Sequence, residues 1–142
     1  MEKVQATWFG DWRGGRKMRK PEHYVGIDIG SESYFVAAGR GTKENWQLTI
    51  KPKEFANEYD ALPQFLSWLQ IQNIKPRNSV ICMEATGVYN ELLAHFLVAN
   101  QYKVVIQSPL DVKRAFKPIG HKTDAVDSEQ VAKSAYRFYD QM

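Results

Sequence analysis

Four acidic residues stand where a carboxylate is either costly or purposeful: Asp28, Glu84, Asp124 and Asp127. Asp28 interrupts the apolar run Val-Gly-Ile-Asp-Ile-Gly at 25–30. Glu84 closes Val-Ile-Cys-Met-Glu at 80–84, on the same face as Val80 and Cys82. An ionised carboxylate inside a strand is unfavourable unless it is paired, protonated or bound to a cation. Asp124 and Asp127 open the last helical pattern of the chain. At about 100° per residue they share an arc of roughly 80° with Val131, Ala135 and Phe138, so a helix docked by that stripe carries both acids inward. Four convergent carboxylates repel one another unless a divalent cation neutralises them, and an all-oxygen donor set suits Mg²⁺ or Mn²⁺. Two such ions about 3.5–4 Å apart activate a nucleophile and stabilise a leaving oxygen in phosphodiester chemistry. Each acid also has an ordinary explanation. Asp124 and Asp127 suit the first turn of a helix capped by Thr123. Asp28 suits the turn in Asp-Ile-Gly-Ser, and Glu84 suits a solvated strand end. What distinguishes the set is that all four positions fit one edge of one sheet.

The elements that must position these acids follow from periodicity. Residues 24–29 read as a strand with Val25, Ile27 and Ile29 on one face. After the turn at Gly30-Ser31 comes a second strand over 34–38, and after Gly39-Arg40-Gly41 a third over 46–50, together an antiparallel meander. A helix over about 60–72 follows, with Leu62, Phe65, Leu66 and Leu69 at i, i+3, i+4, i+7 and Pro63 in its first turn. Next come a buried strand over 80–84 and a helix carrying Tyr89, Leu92, Leu93, Phe96 and Leu97. A fifth strand over 103–107 leads into a basic loop or short helix with Lys113, Arg114 and Lys117, and a last helix covers about 124–138. The order β-β-β-α-β-α-β-α predicts an α/β fold: a mixed five-stranded sheet, three antiparallel strands then βαβ crossovers, with helices on both faces. Parallel neighbouring strands would bring Asp28 and Glu84 together at one edge.

Three segments, Tyr-Val-Gly-Ile-Asp-Ile-Gly at 24–30, Met-Glu-Ala-Thr-Gly-Val-Tyr at 83–89 and Lys-Thr-Asp-Ala-Val-Asp at 122–127, carry a resemblance in this order and spacing. The chain from about 24 to 138 resembles the N-terminal RuvC-like (ribonuclease H-like) domain of the DEDD transposases, the Piv/MooV-type insertion-sequence recombinases of bacteria and archaea. The resemblance implies that fold. It also implies metal-dependent DNA cleavage and strand exchange with Mg²⁺ or Mn²⁺, and it maps the family's four acids onto Asp28, Glu84, Asp124 and Asp127 as catalytic and metal-binding residues. DNA is then the substrate and homo-oligomers, dimeric or tetrameric, the working form; some members also use a structured guide RNA. Members are longer and carry a C-terminal domain with a serine proposed as the covalent nucleophile. The chain is therefore expected to be a domain fragment or truncated product, with a basic arm over 1–21 and the RuvC-like domain over 22–142. Ser31, Ser33 and Ser128 lie near the acids, but none is assigned as nucleophile.

Charge and composition bound the rest. The chain has 142 residues, 44% hydrophobic and 25% charged, the make-up of one ordinary globular domain. Its net charge of +3 is unevenly placed: residues 1–20 hold six Lys/Arg and two acids, a net of +4, which leaves the other 122 residues at −1. Such an arm suits a polyanion through phosphate contacts or stands solvated and disordered; Trp8, Phe9 and Trp12 suit base stacking or packing on a partner. No apolar run approaches the roughly 18–20 residues of a membrane span, and the basic start is unlike a signal peptide. The one cysteine, Cys82, excludes an internal disulfide and a multi-cysteine zinc site. The expected location is the prokaryotic cytoplasm, with no membrane partner.

Lys113, Arg114, Lys117, His121 and Lys122 precede the final acids and suit contacts to a nucleic-acid backbone; an exposed basic loop is the plainer reading. His95 reads as packing or surface, His23 carries little information, and Cys82 reads as a small core residue. Two other functions fit the same architecture. An actin- or sugar-kinase-like phosphate-binding ATPase has a comparable Asp-x-Gly-Ser/Thr turn. It needs a duplicated domain and a second phosphate loop, and no Gly-x-x-x-x-Gly-Lys-Ser/Thr segment is present. A non-catalytic nucleic-acid-binding module would keep the fold without the metal.

Overall fold

The computed structural model describes the backbone of residues 6–9, 21–41, 45–84, 90–107 and 124–140, with the side chains of all of these except 6–9, 124–127 and 138–140. The strands are β1 (Ala6–Phe9), β2 (His23–Ile29), β3 (Ser33–Gly41), β4 (Trp46–Ala56), β5 (Ser79–Glu84) and β6 (Val104–Gln107). The helices of this region are α1 (Leu62–Ile71), α2 (Glu91–Ala99) and α3 (Asp124–Asp140). They build one sheet in the order β1-β6-β5-β2-β3-β4. β2, β3 and β4 form the antiparallel meander, and β5 and β6 add to β2 in parallel. The α/β fold read from the pattern is present, with α1 and α2 on one face and α3 on the other.

The sheet gains a sixth strand that the pattern did not foretell. Ala6–Phe9, inside the basic arm, pairs antiparallel with β6, Ala6 opposite Gln107 and Phe9 opposite Val104. Ala-Thr-Trp-Phe is short but rich in strand-favouring types, and β6 would otherwise leave its outer backbone groups unpaired. Reading 1–20 by its charges hid that segment. Trp12 and the cations of the arm from Arg13 to Lys20 lie outside the described residues.

Two strands run past their expected ends, β3 to Gly41 and β4 to Ala56. Pro52 is the reason the pattern stopped early, since proline cannot donate to a ladder. β4 is an edge strand, where that loss is tolerated. Val36 faces Lys53 and Ala38 faces Ile50, so Lys51 and Pro52 together oppose Ala37 in a bulge, and a second shift follows between Ala38 and Gly39.

One face of the sheet buries Val25, Ile27, Ile81, Met83 and Val104 against Leu62, Phe65 and Leu69 of α1 and Leu93, Ala94 and Leu97 of α2. Both helices end alike. Asn73 (φ 60°) and Gln101 (φ 72°) take the left-handed conformation, while Ile74 N–H donates to Leu69 O at 2.9 Å and Tyr102 N–H to Leu97 O at 3.0 Å. The Tyr102 hydroxyl then donates to Ile74 O at 2.6 Å, tying the two helix exits together.

The other face seats α3. Tyr24, Val80, Cys82 and Val105 pack against Val131 and Ala135, with Trp46 and Tyr136 at the border. The helix comes this close because residue 26 has no side chain. A Cβ on Gly26 would overlap the amide nitrogen of Ala132 and the carbonyl oxygen of Ser128, and lie 2.7 Å from Ala132 Cα. These are backbone atoms of a packed helix, which cannot swing aside. Gly26→Ala should therefore destabilise the chain by about 2–4 kcal/mol, read as a lowered urea midpoint. Gly30→Ala, whose Cβ would meet only Ser33 O at 3.2 Å, should cost about 1 kcal/mol or less.

Candidate active site

The site follows from strand register. β2 and β5 run parallel with His23 beside Ser79 and, four steps on, Ile27 beside Met83. One further step sets Asp28 beside Glu84, about 4.8 Å away across the strand pair. Alternation puts both on the face of Tyr24, Gly26, Val80 and Cys82, which is the α3 face. Both are half-buried at the carboxyl ends of their strands. β5 pairs in turn with β6, Glu84 beside Gln107. Asp28, Glu84 and Gln107 thus form a row across three strand ends on one face.

The direction of α3 brings its first turn to the same row. Tyr24 meets Tyr136 edge-on, with ring centroids 5.3 Å apart, whereas Gly26 meets the backbone of Ser128 and Ala132. The helix therefore runs antiparallel to β2. From Gly26 to Asp28 the strand advances about 6.6 Å, a distance an α-helix covers in about four residues. Residues 124–128 then stand level with Asp28, and Asp124 and Asp127 occupy the first turn. The carboxylates of these two residues lie outside the described side chains, as do residues 85–89 of the second motif. Backbone placement alone brings all four sequence-selected positions to one edge. The amino end of α3 adds partial positive charge there, which favours anionic neighbours.

The oxygen-only chemistry of this set fits a hard divalent cation rather than a soft one. Among the described residues there is no group of three or more His, Cys, Asp or Glu side chains placed to hold a metal. Asp28 and Glu84 place two carboxylates at this edge, and the backbone of Asp124 and Asp127 stands in the adjacent first turn of α3. Lys113, Arg114, Lys117, His121 and Lys122 lie outside the described residues. His95 is exposed on α2. His23 is half-buried, its pKa lowered by desolvation and then by Arg40. Ser33 donates to Glu54 at 3.0 Å, and Ser128 is buried on α3.

Beneath the acids lies a small polar node. Gln107, fully buried, accepts at Oε1 from Cys82 Sγ at 3.0 Å and from Ser134 Oγ at 2.7 Å. It links β5, β6 and α3. Burial pushes the Cys82 thiol far up, and the charge of Glu84 adds to the shift, so the thiol stays protonated. Sequence reasoning passed over Gly26 and Gln107. Each had a signal: a glycine inside a strand marks close approach of another backbone, and Gln107 is a polar residue in phase with buried Val105.

Comparison with known proteins gives one family and one fold. The DEDD transposase family model of the IS110 type, described as transposase, matches residues 25–141. The pilin gene-inverting proteins of Moraxella lacunata and Moraxella bovis are each 30% identical over 115 residues, covering 78% of this chain and 33% of theirs. The chain thus spans about a third of the length of these curated relatives. Among solved structures, Thermus thermophilus RuvC in complex with a Holliday junction substrate matches with a TM-score of 0.57 at 13% identity, over 84% of this chain and 95% of that one. A second T. thermophilus RuvC structure gives 0.54, also at 13% identity, over 84% and 96%. At that identity the likeness concerns the fold. Among the described residues no helix is long and apolar enough to cross a membrane.

The buried thiol gives a pH signature. Folding raises the Cys82 pKa above its ordinary 9.0, so as pH climbs the unfolded chain releases this proton first. The stabilisation is complete below about pH 9 and declines above it, by up to about 1.4 kcal/mol per pH unit. Tyr34, raised in the same sense by burial, steepens the decline above its ordinary 10.0. Urea midpoints followed into alkaline solution should fall less steeply for Cys82→Ala than for the wild type. Iodoacetamide at mildly alkaline pH should label Cys82 only in the denatured chain.

Proposed function

Because this chain belongs to the DEDD transposase family, we propose that it is the catalytic domain of a DNA transposase or site-specific recombinase, cutting and exchanging DNA strands by metal-dependent phosphodiester chemistry. The observation that carries this reading is the placement of Asp28 beside Glu84 at the strand ends, level with the first turn of α3. When bound there, Mg²⁺ or Mn²⁺ activates an attacking oxygen and stabilises the leaving one. Asp28, on the central strand, would hold the divalent ions together with Glu84, Asp124 and Asp127. Clustered negative charge at these positions is the cost of holding such ions, and half-burial of Asp28 and Glu84 keeps that charge effective.

Around this centre the reading assigns further parts. Lys113, Arg114, Lys117, His121 and Lys122 hold the DNA backbone next to the acids. Residues 22–142 form the RuvC-like domain, and the arm over 1–21 lends it Ala6–Phe9. A C-terminal domain, assembly into a dimer or tetramer, and in some relatives a structured guide RNA complete the recombinase, which works in the prokaryotic cytoplasm. The pilin gene-inverting relatives support a reaction that rearranges DNA.

In the full-length protein, Asp28→Asn, Glu84→Gln, Asp124→Asn and Asp127→Asn should each reduce strand cleavage about 1,000-fold or more. The urea midpoint should hold or rise, because each change removes one charge from a repelling cluster. Recombination that survives Asp124→Asn would sink the assignment. The direct test is a Mn²⁺ soak of crystals with anomalous scattering. Ions among the four acids are the expected result; carboxylates too far apart to converge would end the catalytic reading.

A further inference from the structure

The amide of Gln107 has one end fixed and one end spare. Its Oε1 receives two hydrogen bonds, from Cys82 and Ser134, while its Nε2 has no partner among the described residues although the side chain is fully buried. The amide oxygen is the atom that faces both donors, the Cys82 thiol and the Ser134 hydroxyl. Both donors lie back along the sheet from Gln107. Cys82 is two residues before Glu84 on β5, and Ser134 lies deeper along α3 than the Ser128–Ala132 segment that crosses Gly26. With Oε1 drawn toward the body of the sheet, Nε2 is turned toward the strand ends. The next residue there, one strand away in register and on the same face, is Glu84.

We propose that Gln107 is a positioning residue for Glu84: when a divalent cation is bound, the Nε2 that has no partner among the described residues donates to one oxygen of the Glu84 carboxylate and aims the other at the cation. This rests on the metal-site reading above. Full burial of Gln107 excludes direct contact with DNA, so the amide acts through its neighbour. An unsatisfied buried N–H costs about 1–3 kcal/mol, and a carboxylate has acceptor sites to spare beyond one metal bond. Partners of this kind orient metal-ligating side chains, and their loss weakens metal binding about 10- to 100-fold.

The test compares Mn²⁺ affinity, measured from the free-ion electron paramagnetic resonance signal, in four versions of this chain. The wild type should bind and Asp28→Asn should not; if the wild type fails to bind, the metal-site reading fails and this inference with it. Gln107→Met, which keeps the volume and removes the amide, should weaken binding about 10- to 100-fold. Ser134→Ala, which breaks the same clamp but leaves Nε2 in place, should change affinity by no more than a few-fold. Equal loss in both variants would make Gln107 a merely structural residue. Undiminished affinity in Gln107→Met, with Asp28→Asn inactive in binding, would overturn the inference while sparing the metal site. If Gln107→Met does not fold, nuclear magnetic resonance of the wild type decides. One Gln107 side-chain amide proton should shift downfield as Mg²⁺ is added, and an unmoved resonance would refute the assignment.

Discussion

The contact between Gly26 and the backbone of α3 sets the geometry of everything at the acidic edge. A helix normally rests on a sheet at the distance its side chains allow, but here Ser128 and Ala132 press their main chain onto a strand with nothing to hold them off. That contact fixes the height of α3 above β2. The edge-on packing of Tyr24 on Tyr136 fixes its direction. Given both, the level of the first turn relative to Asp28 follows from the rise of a helix and of a strand, with no further adjustable quantity.

The floor under the acids shows how a sheet tolerates charge at its rim. Val80, Cys82, Val105, Val131 and Ala135 close it with apolar atoms, and Gln107 of β6, threaded through it, accepts hydrogen bonds from β5 and α3. The low dielectric this creates raises the Cys82 thiol and strengthens every charge–charge interaction just above it. Repulsion between Asp28 and Glu84 is therefore larger than it would be in water, and a cation is correspondingly more attractive. The same burial makes two neighbouring carboxylates electrostatically costly without a counter-charge.

Much of this was legible in the residues. The alternation of Val25, Ile27 and Ile29 and the stripe of Leu62, Phe65 and Leu69 located β2 and α1 because each element buries one face only. Asp28 and Glu84 stood out because they break runs that burial should keep apolar, and register then set them side by side. The misses have physical causes. Pro52 concealed the second half of β4, since a bulged edge strand tolerates what a central strand does not. Ala6–Phe9 was overshadowed by the charges around it; four residues with no periodicity of their own become a strand only because β6 has an open side. The role of Gln107 was invisible because hydrogen bonds from Cys82 and Ser134 are meetings across three elements, which no local pattern encodes.

The two bulges in β4 bear on how the molecule keeps company with its own kind. Eleven residues of outer strand would make a long flat template on which a second chain could add by backbone pairing. Two extra residues twist that border out of plane, Pro52 deletes one donor from it, and Lys51 and Lys53 line it with exposed charge. Edge-to-edge stacking into fibrils meets resistance at this side of the sheet. Copies of the chain brought together at high concentration thereby meet a barrier to polymerising through β4.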